Sequence, residues 1–347
     1  TSRPDRLQAM HEEYSFWSHK DDHLIFAEPT PLFYECANWD IDVRKDRLQT
    51  LISLAQFHLP YKKRISSGIV IFSSVKSIMT RTAPRRDFLS ACGWLRSGSK
   101  ASIADLAQKW TDIGYIYNEI VVSEGQFSKR GGLMDVWPLN SDMPLRIDFF
   151  GDEVESIRLF NPATQRSTEK IEEFFIPPAS EAILEKGNAS EMLAKNPEFY
   201  IPKIYPTQST LLDYLPKNTI ILIDNAASVS VIAEEIEDQA VKMRRENIAK
   251  RLITEDFPIP YVTWSELSDQ LSKFNLVDLG FPLGRENNYL SDAFATSPRF
   301  GARMANLLDF IEGKSSERCH FHLVTRQTNR LQEILNERGN DWAEKHQ

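Results

Sequence analysis

The sequence predicts an α/β fold interrupted by a β-rich insert. Three observations carry this. The runs Gly68–Phe72 (GIVIF) and Thr219–Asp224 (TIILID) have the continuous apolar character of strands buried on both faces. Segments with apolar residues at helical spacing alternate with those runs. Between them, from Gly114 to Glu181, the pattern changes to period two, punctuated by Gly and Asp turns.

Length and composition set the outer limits. The 347 residues suffice for two or three domains at roughly 100–200 residues each. With 41% hydrophobic and 26% charged residues, a globular class fits. No run approaches the roughly 18–20 apolar residues of a membrane helix, and the opening TSRPDRLQAMHEEYSFW is too polar for a signal peptide. The expectation is a cytoplasmic protein with no membrane contact. The chain begins with Thr1, so a piece of a longer protein is expected. A net charge of −8 argues against a surface that sheathes nucleic acid, although a local basic patch is allowed. Cys36, Cys92 and Cys319 lie far apart, without the spacing of a disulfide framework or a zinc site.

The elements follow in order. Leu24–Phe26 reads as a short strand, and Asp46–Phe57 as a helix with Leu48, Leu51, Ile52 and Leu54 on one side. After the Gly68–Phe72 strand, Val75–Met79 reads as a short helix ended by Pro84. Arg96–Lys100 is small and polar and reads as a boundary. Ser102 is placed to cap a helix through Trp110 that Gly114 stops. Strands are then expected at Ile120–Val122, Gln126–Lys129, Leu133–Trp137, Leu145–Phe150 and Val154–Phe160, as an antiparallel meander closed by Pro177-Pro178. The α/β pattern returns with Thr219–Asp224 and a long charged helix from Ser228 to Ile253. A strand at Leu276–Leu279, a helix at Ala305–Ile311, a strand at His320–Thr325 and a helix at Thr328–Asn336 complete the chain.

Candidate chemistry is sparse. The nearest approach to a phosphate-binding loop, Leu308–Ser315 (LDFIEGKS), lacks the first glycine and follows a helical run rather than a strand. Asp224 resembles a Walker B aspartate, but Asn225 stands where helicases carry a second carboxylate; the plainer reading is a strand-end Asp that caps a turn. His320 and His322 would share one face of a strand, with no carboxylate cluster nearby in sequence. No catalytic group and no metal site is expected.

The insert is richer. Along Leu145–Phe150, Leu145, Ile147 and Phe149 share one face, and Arg146, Asp148 and Phe150 share the other. Arg130 precedes the Gly131-Gly132 turn. Arginine beside an aromatic ring is the chemistry of interface hot spots. The alternative is that Phe150 fills a satellite core while Arg146 pairs with Asp148 or Asp152.

Three stretches, GQFSKRGGLMDVWP (Gly125–Pro138), PLRIDFFGDEVESIRLFNPATQRS (Pro144–Ser167) and IPPASE (Ile176–Glu181), resemble the DNA-damage-repair family that includes UvrB and the transcription-repair coupling factor (Mfd). The likeness is greatest to the N-terminal UvrB-homology module of the coupling factors. DRLQTLISL (Asp46–Leu54) and STLLDYLPKNTIILID (Ser209–Asp224) are similar more weakly.

The resemblance implies a degenerate RecA/helicase-like α/β domain in two pieces, 1–91 and 179–283, with an inserted β-rich α+β domain at 92–178. Residues 284–347 would extend the α/β part or begin another domain. It implies that the insert binds UvrA through Arg130, Arg146 and Phe150, and that Asp224 belongs to a nucleotide site that no longer hydrolyses. No cofactor is expected in this chain; ATP and magnesium would belong to motor domains of the parent, a DNA translocase. RNA polymerase and DNA would be reached through its other domains. The alternative within the family is a fragment of a UvrB-type ATP-dependent damage-verification helicase. Against it stands EPTPLFYECANWDI (Glu28–Ile41), which has one tyrosine where UvrB carries a tyrosine-rich hairpin, and the lack of a phosphate-binding loop.

Overall fold

The computed structural model describes all residues except 19–22, 59–67, 185–195, 281–299, 301–303, 316–320, 322, 324–327 and 338–347. They divide into two units, Thr1–Phe281 and Pro282–Gln347, and the architecture is mixed α/β.

The first unit opens with α1 (Pro4–Trp17), whose proline sits in the first turn, where the missing N–H costs nothing. Strand β1 (His23–Phe26) is followed by α2 (Ile41–Gln56), which Asp40 caps by accepting from the Asp42 amide. Strand β2 (Val70–Ser73) pairs in parallel with β1. A helical crossover is what parallel neighbours require. Short helices α3 (Val75–Met79) and α4 (Arg85–Ala91) come next. Leu48, Leu51, Ile52, Leu54 and Ala55 of α2 pack with Phe26, Phe88 and Tyr214.

The stretch expected to form the insert opens with β3 (Gly93–Arg96). Ser102 accepts from the Asp105 amide and starts α5 (Ile103–Asp112), as its position suggested. Six strands follow: β4 (Ile116–Tyr117), β5 (Gln126–Arg130), β6 (Leu133–Val136), β7 (Leu145–Phe150), β8 (Glu153–Phe160) and β9 (Ser167–Ile171). They form one sheet in sequence order, antiparallel except for the β4–β5 pair. Strand β10 (Glu173–Ile176) then returns to pair with β3.

Two expectations change here. Ile120–Val122 is not a strand. The Val122 and Ser123 amides donate to the Gln126 side-chain oxygen instead of a ladder, and the added edge strand is Ile116–Tyr117. Arg96–Lys100 is no boundary either. Its turn joins the sheet, with Gly98 N–H donating to Val154 and Val154 N–H to Ser99.

Gly114 does more than stop α5. Its φ is +95°, and a Cβ there would stand 2.4 Å from that of Ser180 and 2.8 Å from the Ser180 nitrogen. The start of the insert's sheet thus lies directly against its exit. Gly114→Ala is expected to cost about 2 kcal/mol or more, from left-handed strain plus overpacking. Urea unfolding would measure it.

After the insert, α6 (Ile201–Ile204) leads to β11 (Ile220–Ile223) and α7 (Ala226–Ala249); then come α8 (Trp264–Leu271) and β12 (Asn275–Asp278), which pairs in parallel with β11. Val229, Ala233 and Ala240 of α7 pack with Val75, Met79, Leu267 and Leu271. The helix expected at Ser228–Ile253 thus starts two residues earlier and ends sooner, where Arg251 takes φ +58°.

In the second unit, α9 (Met304–Ser315) and α10 (Thr328–Glu337) share a small core of Leu308, Leu323, Leu331 and Ile334. The LDFIEGKS stretch lies within α9, so it is helix and not a phosphate-binding loop. The strand expected at 320–325 falls largely outside the described residues, as do His320 and His322.

Candidate functional site

Strand pairing decides which side chains share a face of the six-stranded sheet. Opposed residues point the same way, so register extends the alternation of one strand across its neighbours. Phe127, Met134, Val136, Leu145, Ile147, Phe149, Val154 and Ile157 form the inner face, buried with Trp110 of α5. Trp110 meets Phe127 edge-on at a centroid distance of 5.7 Å.

The outer face carries the sequence-derived candidates. One row runs Ser128, Asp135, Arg146, Arg158, Lys170, and the next Arg130, Leu133, Asp148, Ser156. Phe150 lies one pleat beyond Asp148 at the end of β7, beside the Gly131-Gly132 turn. The structure therefore gathers Arg130, Arg146 and Phe150 on one face, on which Ser128 and Asp135 are buried.

Their states differ. Phe150 is 81% exposed, more than any other large hydrophobic side chain among the described residues. It fills no satellite core. Arg130 is exposed, and its Nη2 donates to the Glu119 carbonyl at 2.5 Å, which ties the loop after β4 to the end of β5. Arg146 is neither free nor paired with Asp148 or Asp152. Its Nε and Nη2 bind both carboxylate oxygens of Asp135 at 2.8 and 2.7 Å, and its Nη1 donates to the Gln165 carbonyl at 2.9 Å. The hydrogen bond to Asp135 holds the guanidinium above its ordinary pKa, against the opposing effect of burial. Asp148 takes a different arginine, Arg158, at 2.5 Å, and also accepts from Ser156.

Sequence reasoning missed Asp135 and Gln165. Asp135 sits in the GGLMDVWP stretch, but nothing in its spacing says that it faces Arg146; only the β6–β7 register does so.

Asp224 lies far from this face in the chain, at the end of β11. Arg6 of α1 binds it through Nε at 2.9 Å and Nη2 at 3.2 Å. The capping expected of Asp224 is done by its neighbours. Asn225, at φ +65°, accepts from the Ser228 amide, and Asp278 accepts from the Ala226 amide. Among the described residues no group of three or more His, Cys, Asp or Glu side chains could hold a metal ion. None of their helices is long and apolar enough to cross a membrane. The face thus sets one exposed ring, Phe150, beside the paired charges Arg146–Asp135 and Arg158–Asp148.

Residues 94–181 match the family described as the UvrB interaction domain. The chain is also similar to curated proteins named transcription-repair-coupling factor. It is 26% identical to that of Bacillus subtilis over 237 residues, which is 57% of this chain and 19% of the relative. It is 29% identical to that of Escherichia coli over 188 residues, 53% of this chain and 15% of the relative. The likeness to that of Myxococcus xanthus is 32% over 130 residues, 38% of this chain and 11% of the relative. The chain therefore spans about a fifth or less of the length of these relatives.

Proposed function

We propose that this chain, which matches the UvrB interaction domain family and is related to the transcription-repair-coupling factors, is a non-catalytic adaptor module that recruits UvrA during transcription-coupled nucleotide excision repair. The observation that carries the reading is Phe150, an aromatic ring 81% exposed on the outer face of the sheet within the matched residues. An isolated monomer gains nothing from wetting such a ring, whereas an interface uses it as an anchor.

The rest of the proposal follows the same relatives. The α/β elements on either side of the insert are a degenerate RecA-like domain in two pieces. Its remnant aspartate, Asp224, is neutralised by Arg6, which supports a site that neither holds magnesium nor hydrolyses nucleotide. ATP turnover, DNA and RNA polymerase contacts belong to other domains of a longer bacterial cytoplasmic protein.

Calorimetric titration of this chain with purified UvrA tests the reading. Saturable 1:1 binding is the expected result, and no heat at micromolar concentrations would refute it. A parallel titration with ATP is expected to be flat. DNA-stimulated ATP turnover by this chain would replace the adaptor with a UvrB-type enzyme.

A further inference from the structure

We infer that Arg146 is a positioning residue. It acts on the binding face by pairing with the buried Asp135, and it does not itself meet the partner. This rests on the reading that the face binds UvrA.

Three observations lead there. First, the guanidinium is used up at home. Of its five N–H donors, two go to Asp135, one to the Gln165 carbonyl, and one to the Gln165 side-chain oxygen at 3.2 Å. Its side chain is 17% exposed and that of Asp135 is 7% exposed. Second, it lies over the buried Phe160 ring at 4.4 Å, so the plane of the fork is set by packing as well as by hydrogen bonds. Third, it is four residues from Phe150 along β7, about 13 Å at the rise of a strand, too far to flank that ring.

What Arg146 holds is specific. The 161–166 turn is prebuilt: Asn161 Oδ1 accepts from the amides of Ala163 and Thr164, and Gln165 stands at φ +59°. Arg146 links this turn to Asp135, two strands away in the sheet. Removing Arg146 leaves the Asp135 carboxylate buried without its ionic partner, while the turn keeps its own hydrogen bonds. A face altered in this way binds less well even if no partner atom ever touched the arginine.

The test compares UvrA affinity for the wild type, Phe150→Ala, Arg146→Met, Asp135→Asn and the double variant Asp135→Leu/Arg146→Met. Thermal midpoints establish that each is folded at the assay temperature. Phe150→Ala and Arg146→Met are each expected to bind about tenfold or more weakly. The double variant is expected to return to within about threefold of wild type, because replacing both partners of a buried pair leaves no orphaned charge. A double variant as weak as Arg146→Met would show that the guanidinium meets the partner, and would overturn the inference.

Asp135→Asn decides the case if the double variant does not fold. Positioning requires it to weaken binding; a contacting arginine, freed from its ion pair, would bind as well or better. If Phe150→Ala leaves affinity unchanged, the assignment of the face itself fails and takes this inference with it. If Phe150→Ala weakens binding and the double variant is not rescued, only the role given to Arg146 fails.

Discussion

Replacing Phe150 by alanine is expected to weaken UvrA binding by about 2 kcal/mol, roughly thirtyfold, with no loss of folding stability. The two halves of that prediction come from one number. A ring that is 81% exposed contributes little to the fold, so truncation stays within about 0.5 kcal/mol of neutral. The adjacent residue is the control. Phe149 is 9% exposed and belongs to the core of the insert, so Phe149→Ala should cost about 3–5 kcal/mol of stability. Titration calorimetry and urea unfolding on the two variants separate binding from folding at neighbouring positions of one strand. Equal losses of stability in both would mean that the β7 alternation is misassigned. Unchanged UvrA affinity in Phe150→Ala would remove the anchor on which the adaptor reading stands.

That alternation was legible in the sequence because it depends on one strand alone. Leu145 and Ile147 are fully buried and Phe149 nearly so, as period two required. What the sequence could not show were pairings that depend on register or on distant chain. Asp135 meets Arg146 because a hairpin aligns them, eleven positions apart. Arg6 meets Asp224 across 218 positions, which no local pattern encodes. Helix α1 was also hidden. Its only buried residue is Leu7, so it lacks the apolar stripe that makes a helix readable. Ile120–Val122 misled for the converse reason. Ile120 and Val122 are β-branched and apolar, yet both are exposed, and only Val121 is buried. β-Propensity reflects fit to a packed pleated surface, and that segment has none.

Removing Glu181 is expected to produce the largest loss of stability of any charged residue discussed, about 3–5 kcal/mol for Glu181→Ala. Its side chain is 2% exposed and that of Arg47 is 0% exposed, with Nε to Oε1 at 2.6 Å and Nη2 to Oε2 at 3.1 Å. Thr82 adds a hydrogen bond to Oε2 at 2.5 Å. The Arg47 guanidinium also donates to Ser77 and to the Ala27 carbonyl, and lies over the Phe26 ring at 3.9 Å. Every element of that list except Glu181 precedes the insert in the chain; Glu181 directly follows its exit at Pro177-Pro178. The pair therefore joins the end of the insert to α2, and the opposed Gly114–Ser180 backbones leave the junction little room to adjust. Alanine at position 181 strands a buried guanidinium. Arg47→Met/Glu181→Leu should recover most of the loss, since the cost lies in the unpaired charge rather than in the missing attraction. Urea unfolding of the three proteins measures both effects. A loss below about 1 kcal/mol in the single variant would mean that water reaches the guanidinium, as it does at an exposed pair, and that the junction is not held by a buried charge.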